Sequence, residues 1–152
     1  MVPSKQVRFW RTFFVPENTN TYDNIIYMLK LPTIFFLISF SLLAVIHIIA
    51  SELFLYWRFF WFDIPMHFFG GAVVALGIFT LYDLKIIVKR RHLKRVPLLV
   101  LVFVVALSWE VYELLVGISI EANYVADTLI DLSMGLLGGL VGYSIGSSLN
   151  KL

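Results

Sequence analysis

Four apolar runs, at about residues 31–57, 63–82, 97–117 and 127–149, fill most of this 152-residue chain. A hydrocarbon core about 30 Å thick needs roughly 20 apolar residues in a helix, so each run can cross a bilayer, and the first is long enough to tilt or protrude. Strands are excluded, because the runs are too long and show no period of two. A helix also satisfies its own backbone in lipid, where an open sheet edge cannot. The expected fold is therefore all-α: a polytopic membrane protein with a four-transmembrane-helix bundle over residues 31–152, preceded by a segment at 1–30. Composition agrees, with 60% hydrophobic and 14% charged residues. No room is left for a separate soluble catalytic domain, so any function sits in or at the bilayer. The chain has no cysteine, which excludes disulfides, thiolate metal sites, iron–sulfur clusters and cysteine nucleophiles.

The distribution of charge sets an expected orientation. Of the 12 Lys and Arg, Lys5, Arg8, Arg11 and Lys30 precede the first run. Lys85, Lys89, Arg90, Arg91, Lys94 and Arg95 lie between the second and third, and Lys151 follows the fourth. Only Arg58 falls on the other side. The positive-inside rule then places both termini and the middle connection in the cytoplasm, in a multi-pass protein of the cell membrane. The basic run "KRRHLKR" is explained by this orientation, so no nucleic-acid partner is expected. "VRFWRTFFV" mixes basic and aromatic residues, as a segment lying on cytoplasmic headgroups does. Trp57, Trp61, Trp109 and Tyr124 fit an aromatic belt at the outer interface. Asp63 and Asp127 stand where helix N-caps belong, Pro65 falls in the first turn of the second run, and Pro32 and Pro97 open the first and third.

The acidic residues are the feature that this architecture does not need. With a rise of 1.5 Å per residue, His67 and Asp131 each lie about 6 Å below helix starts at Asp63 and Asp127, and Glu113 and Glu110 lie about 6 and 10 Å below the outer end of the third run. Glu52 reaches the same side. Asp63 and His67 are four apart, Glu110 and Glu113 three, and Asp127 and Asp131 four, so each pair shares one helix face. Ionised carboxylates gathered in a low-dielectric pocket need protons or a cation. Arg58 alone is too little, whereas two divalent ions would remove most of the charge. Carboxylates with an imidazole suit Zn, Mn or Fe, and a carboxylate-only subset suits Mg or Ca. Asp63, His67, Glu110, Glu113, Asp127 and Asp131 are the expected metal ligands. Glu113 doubles as the candidate catalytic base, and Asp63 and Asp127 as ligands or as groups orienting them. His47 is expected to be a hydrogen-bonded interior histidine.

"DIPMHFFGGAVVA" and "DTLIDLSMGLLGG" share the pattern D-x-x-x-[HD]-x-x-x-G-x-x-x-[AG]. It aligns Asp63, His67, Gly71 and Ala75 with Asp127, Asp131, Gly135 and Gly139, and suggests two parallel-repeat hairpins with the site between them. Gly138, Gly142 and Gly146 form overlapping G-x-x-x-G units, which serve close helix packing and would also allow a homo-oligomer through glycine faces.

At "DIPMHFFGG", "WEVYE" and "DTLIDLSMGLLGG", over roughly residues 61–146, the sequence resembles the VanZ-like superfamily of small integral membrane proteins and related uncharacterised bacterial inner-membrane proteins. VanZ-like members tend to carry a Glu and Gln pair in the middle element, where this chain has Glu110 and Glu113 and is closer to those relatives. The resemblance implies a site at these elements without naming a reaction. Three functions are compatible with the residues. A metal-dependent membrane enzyme would act as a hydrolase or transferase on a lipid or lipid-linked substrate at the outer leaflet. An ion or proton transport protein would use the acids as a relay and would need more of them in the cytoplasmic half. A structural or interaction protein would use the cluster only to fix helix register.

Overall fold

The computed structural model describes residues 30–87, 89–116 and 123–150. Five helices lie among the described residues: α1 (Leu31–Glu52), the short α2 (Leu55–Arg58), α3 (Asp63–Asp83), α4 (Arg95–Val116) and α5 (Tyr124–Leu149). Single 3-10 turns occupy Phe60–Phe62 and Arg90–Leu93. There is no strand among the described residues. Among the described residues, four helices are long and apolar enough to cross a membrane, α3 together with the turn that leads into it. Of the expected interfacial segment at 1–30, only Lys30 falls among the described residues, and Gly117 and Lys151 lie outside them.

The end of the first span, the capping of the second and the start of the fourth differ from the sequence expectation. The first span stops at Glu52 rather than near residue 57. Its 22 residues already rise about 33 Å, enough for the hydrocarbon core. The chain then turns through Phe54, in the left-handed region at φ 54°. Asp63 is the first residue of α3 and not its N-cap, because the 3-10 turn runs straight into the helix and no side chain caps it. Asp127 is not an N-cap either. α5 starts three residues earlier, where the Asn123 side chain accepts a hydrogen bond from the Ala126 N–H at 3.4 Å. Asn serves as well as Asp in that position, so Asp127 is released to sit inside the helix.

The bundle is arranged around one central pair. α3 and α5 run parallel in close contact, α1 packs on α3, α4 packs on α5 and also reaches α3, and α1 barely meets α5. The first hairpin, α1 and α3, thus meets the second, α4 and α5, mainly through α3 and α5. What α5 buries is small or polar: Asp131, Gly135, Gly138, Gly139, Gly142 and Gly146. Outside are large apolar side chains, such as Ile38 (63% exposed), Ile48 (60%) and Leu115 (80%). That inversion suits a lipid solvent, which supplies no hydrophobic force between helices and rewards close backbone approach.

The glycines set the approach. A Cβ on Gly138 would overlap the Phe68 carbonyl, one on Gly142 the Ala72 carbonyl, and one on Gly146 the Phe79 ring, all on α3. The other glycine row of α5 faces α4, with Gly139 against Val102 and Gly135 against Ala106. A compact apolar core of Ala75, Ile78, Phe79, Leu98 and Val102 fills the half of the bundle near the basic connection. The opposite half is left for polar groups.

Candidate functional site

α3, α4 and α5 bring their acids together at the end where α3 and α5 begin. His67 lies one turn into α3, Glu110 and Glu113 lie in the last two turns of α4, and Asp131 lies two turns into α5. Helix periodicity then turns them inward, and His67, Glu110 and Asp131 are all buried, at 9%, 2% and 1% exposure. One ligand atom from each of these three lies within 4.8 Å of the others. Asp63, His67 and Glu113 form a second group within the same limit, and its two carboxylates are only half-buried. The two groups are a deep triad and a shallower one sharing one imidazole.

His67 faces the two triads with different nitrogens. Nε2 is 3.4 Å from Asp63 Oδ2, and Nδ1 is 3.7 Å from Glu110 Oε1. Glu110 Oε1, Asp131 Oδ1 and the nearby Thr128 hydroxyl are buried without a hydrogen-bond partner, and the His67 Nε2 contact lacks hydrogen-bond geometry. Buried oxygens left this way are costly unless something positive reaches them. No Lys or Arg among the described residues pairs with the cluster, and Arg58 is exposed.

Other side chains hold the cage in place. The Trp109 indole N–H donates to Glu113 Oε1 at 2.8 Å, and the Tyr124 hydroxyl reaches the Glu110 carbonyl at 3.4 Å. Both aromatics therefore do more than the interfacial belt expected of them. The half-buried His47 ring sits 2.8 Å from the Tyr56 hydroxyl through Nδ1, hydrogen-bonded as expected, and stands nearly perpendicular to the Trp109 ring. The Tyr56 hydroxyl is pushed up to about 12, first by burial and then by the negative charge of Asp63 and Glu113. It stays protonated at neutral pH and shares a hydrogen bond with His47.

Of the six residues expected as ligands, five enter the two triads. Asp127 does not; it is half-buried one turn nearer the start of α5 than Asp131. Glu52 is exposed and joins neither group. At the far end of α3, Asp83 is buried inside the helix terminus and not out in the connection. Its side chain is 1% exposed and lies 3.3 Å from Lys30 Nζ. A basic residue just before one span and an acid at the close of its neighbour, at one membrane level, was the available signal for that pair.

The donor set can hold a cation. Bonds of about 2.1 Å in a tetrahedral arrangement place donors about 3.4 Å apart, closer than the 4.8 Å within which these atoms lie. A four-span helical bundle with a histidine and carboxylate cage buried at one end defines a polytopic membrane protein with a polar internal site. Over residues 12–151 the chain matches the family described as "Predicted membrane protein (DUF2238)", and it belongs to that family. No curated protein and no solved structure shows a match to it.

Proposed function

We propose that this protein is a metal-dependent membrane enzyme, with one divalent cation held by His67, Glu110 and Asp131 and a lipid or lipid-linked substrate approaching from the outer leaflet. The observation that carries the reading is the convergence of three buried ligand atoms from three helices, two of them carboxylate oxygens without a partner. A mixed imidazole and carboxylate set favours Zn, Mn or Fe over Mg. The positive-inside rule puts the basic connection in the cytoplasm and hence the cage on the outer side. The VanZ-like resemblance of the three sequence elements points to the same residues.

The chain's own groups divide the work. Nδ1 of His67 turns to the deep triad while Nε2 faces Asp63 at 3.4 Å; closing that contact into a hydrogen bond when a cation binds would fix the tautomer and raise the basicity of the ligating nitrogen. Glu113, in the shallower group and held by the Trp109 N–H, is placed to take a proton from a water or a substrate hydroxyl. A bound divalent cation supplies polarisation of a phosphoryl or carbonyl oxygen and lowers the pKa of water.

A relay across the membrane is less well supported. From His67 to Asp83 is about 24 Å along α3. The buried residues between them are Gly71, Val73, Ala75, Leu76, Ile78, Phe79 and Thr80, and Thr80 spends its hydroxyl on the Leu76 carbonyl.

Elemental analysis of the full chain purified in detergent, after equilibration with Zn, Mn, Fe(II) or Mg and removal of excess, tests the proposal. One ion per chain is expected, lost in Glu110→Gln and Asp131→Asn while the helical circular-dichroism signal is kept. A folded wild-type chain that retains none of the four metals overturns it.

A further inference from the structure

The end of the bundle away from the carboxylates carries an open pocket of about 470 Å³, between the close of α3, the Arg90–Leu93 turn and the close of α5. Arg90 and Lys94 supply two positive charges, Tyr143, Ser147 and Asn150 supply neutral hydrogen-bonding groups, and Phe79 gives an apolar wall. No acid lines it. The Arg90 Nε–H donates to the Tyr82 hydroxyl at 3.1 Å, and both cationic side chains are exposed. Tyr82 thus fixes the guanidinium and leaves its terminal N–H groups for something else.

Basic side chains near helix carboxyl ends commonly just complement the exposed carbonyls. Here the backbone itself answers two of those carbonyls, with Leu84 N–H on the Thr80 oxygen and Asn150 N–H on the Gly146 oxygen. Arg90 goes to a phenol and not to a carbonyl. A volume of this size lies in the range of small-molecule sites. Two cations together with hydroxyl and amide groups in one lining match a tetrahedral oxyanion, the guanidinium being suited to phosphate geometry.

We propose that this pocket binds a phosphate-bearing anion, either the phosphodiester of an anionic phospholipid or free phosphate. Basic pockets between spans at a membrane surface recognise such headgroups through charge and donors together. The pocket shares no residue with the carboxylate cage, so the inference stands apart from the metal reading.

Native mass spectrometry of the full chain released from detergent, with phosphatidylglycerol and with diacylglycerol of the same acyl chains, provides the test. The double variant Arg90→Ala, Lys94→Ala should weaken phosphatidylglycerol binding about 30-fold, and Arg90→Gln alone about fivefold. A double variant Lys89→Ala, Arg91→Ala removes equal charge from residues that do not line the pocket, and should change binding less than about threefold. Excess inorganic phosphate separates the sources: failure to displace the lipid assigns a headgroup site, and displacement with direct binding of phosphate assigns a free-anion site. Equal binding of phosphatidylglycerol and diacylglycerol, or equal losses in the two double variants, overturns the proposal.

Discussion

Gly71 on α3 and Gly135 on α5 touch backbone to backbone: a Cβ on Gly71 would occupy the space of the Gly135 carbonyl. Each lies one turn past a residue of the deep triad, Gly71 after His67 and Gly135 after Asp131. The glycine contact therefore sets how far apart the imidazole and the carboxylate stand.

Gly71→Ala should push the two helices apart and lower stability by about 1–3 kcal/mol, the usual cost of overpacking a closed interface. Gly70, its neighbour, has nothing within 4 Å of where a Cβ would be. Gly70→Ala should be neutral or stabilising by up to about 1 kcal/mol, through helix propensity. Unfolding in mixed micelles followed by circular dichroism compares the pair. Equal effects at the two positions would mean that the contact does not hold the helices in solution.

The sequence made the depth and face of His67, Glu110 and Asp131 legible, because helix rise and periodicity are enough to put three inward groups at one level. Register at the helix starts was less accessible. Asn123 and Asp127 are both good caps, and only the folded chain shows that Asn123 serves, which leaves Asp127 a turn inside α5 and outside both triads. Trp109 and Glu113 are four apart and could have been paired on spacing alone. An aromatic near an interface already had an explanation, and that concealed its hydrogen bond. The Lys30 and Asp83 pair needed knowledge that α1 packs on α3, which no local pattern contains.

Tyr56 should titrate late. Its hydroxyl is raised to about 12 by burial and by the charges of Asp63 and Glu113, against an ordinary value of about 10 in the unfolded chain. The folded state prefers the protonated phenol. Its contribution to stability is therefore complete below about pH 10 and is lost as pH rises toward about 12. The tyrosinate absorbance difference between wild type and Tyr56→Phe should show a midpoint near 12, and the variant should lose less stability over that window. A midpoint near 10 would contradict the burial of this hydroxyl against the cluster.

Lys30 and Asp83 tie the start of α1 to the end of α3 at 3.3 Å, with Lys30 56% exposed and Asp83 1%. Breaking the pair from the lysine side strands a buried carboxylate. Lys30→Met should cost on the order of 1–2 kcal/mol, less than a fully buried pair because water reaches the ammonium group. Adding Asp83→Asn should recover part of the loss, since a neutral amide is cheaper to bury than an unpaired charge. A double-mutant cycle in mixed micelles reads the coupling, and strictly additive effects would show that the pair contributes nothing.

Asp63 and Asp131 both lie close to His67 in sequence or space, yet they should fail differently when neutralised. Asp131 offers its oxygen to the deep triad, so on the proposed metal reading Asp131→Asn removes a ligand. Asp63 faces Nε2, the nitrogen turned away from that triad. Asp63→Asn should leave one binding site per chain and weaken it about 10–100-fold, as loss of a group that orients a ligating histidine does. Binding in both cases should strengthen as pH rises, because ligands must shed protons before they coordinate. Competition titrations against a chromophoric chelator, repeated at several pH values, separate lost stoichiometry from lost affinity. If Asp63→Asn abolishes the site while Asp131→Asn only weakens it, the ion belongs to the shallower triad of Asp63, His67 and Glu113, with His67 ligating through Nε2 and Glu110 as its orienting partner.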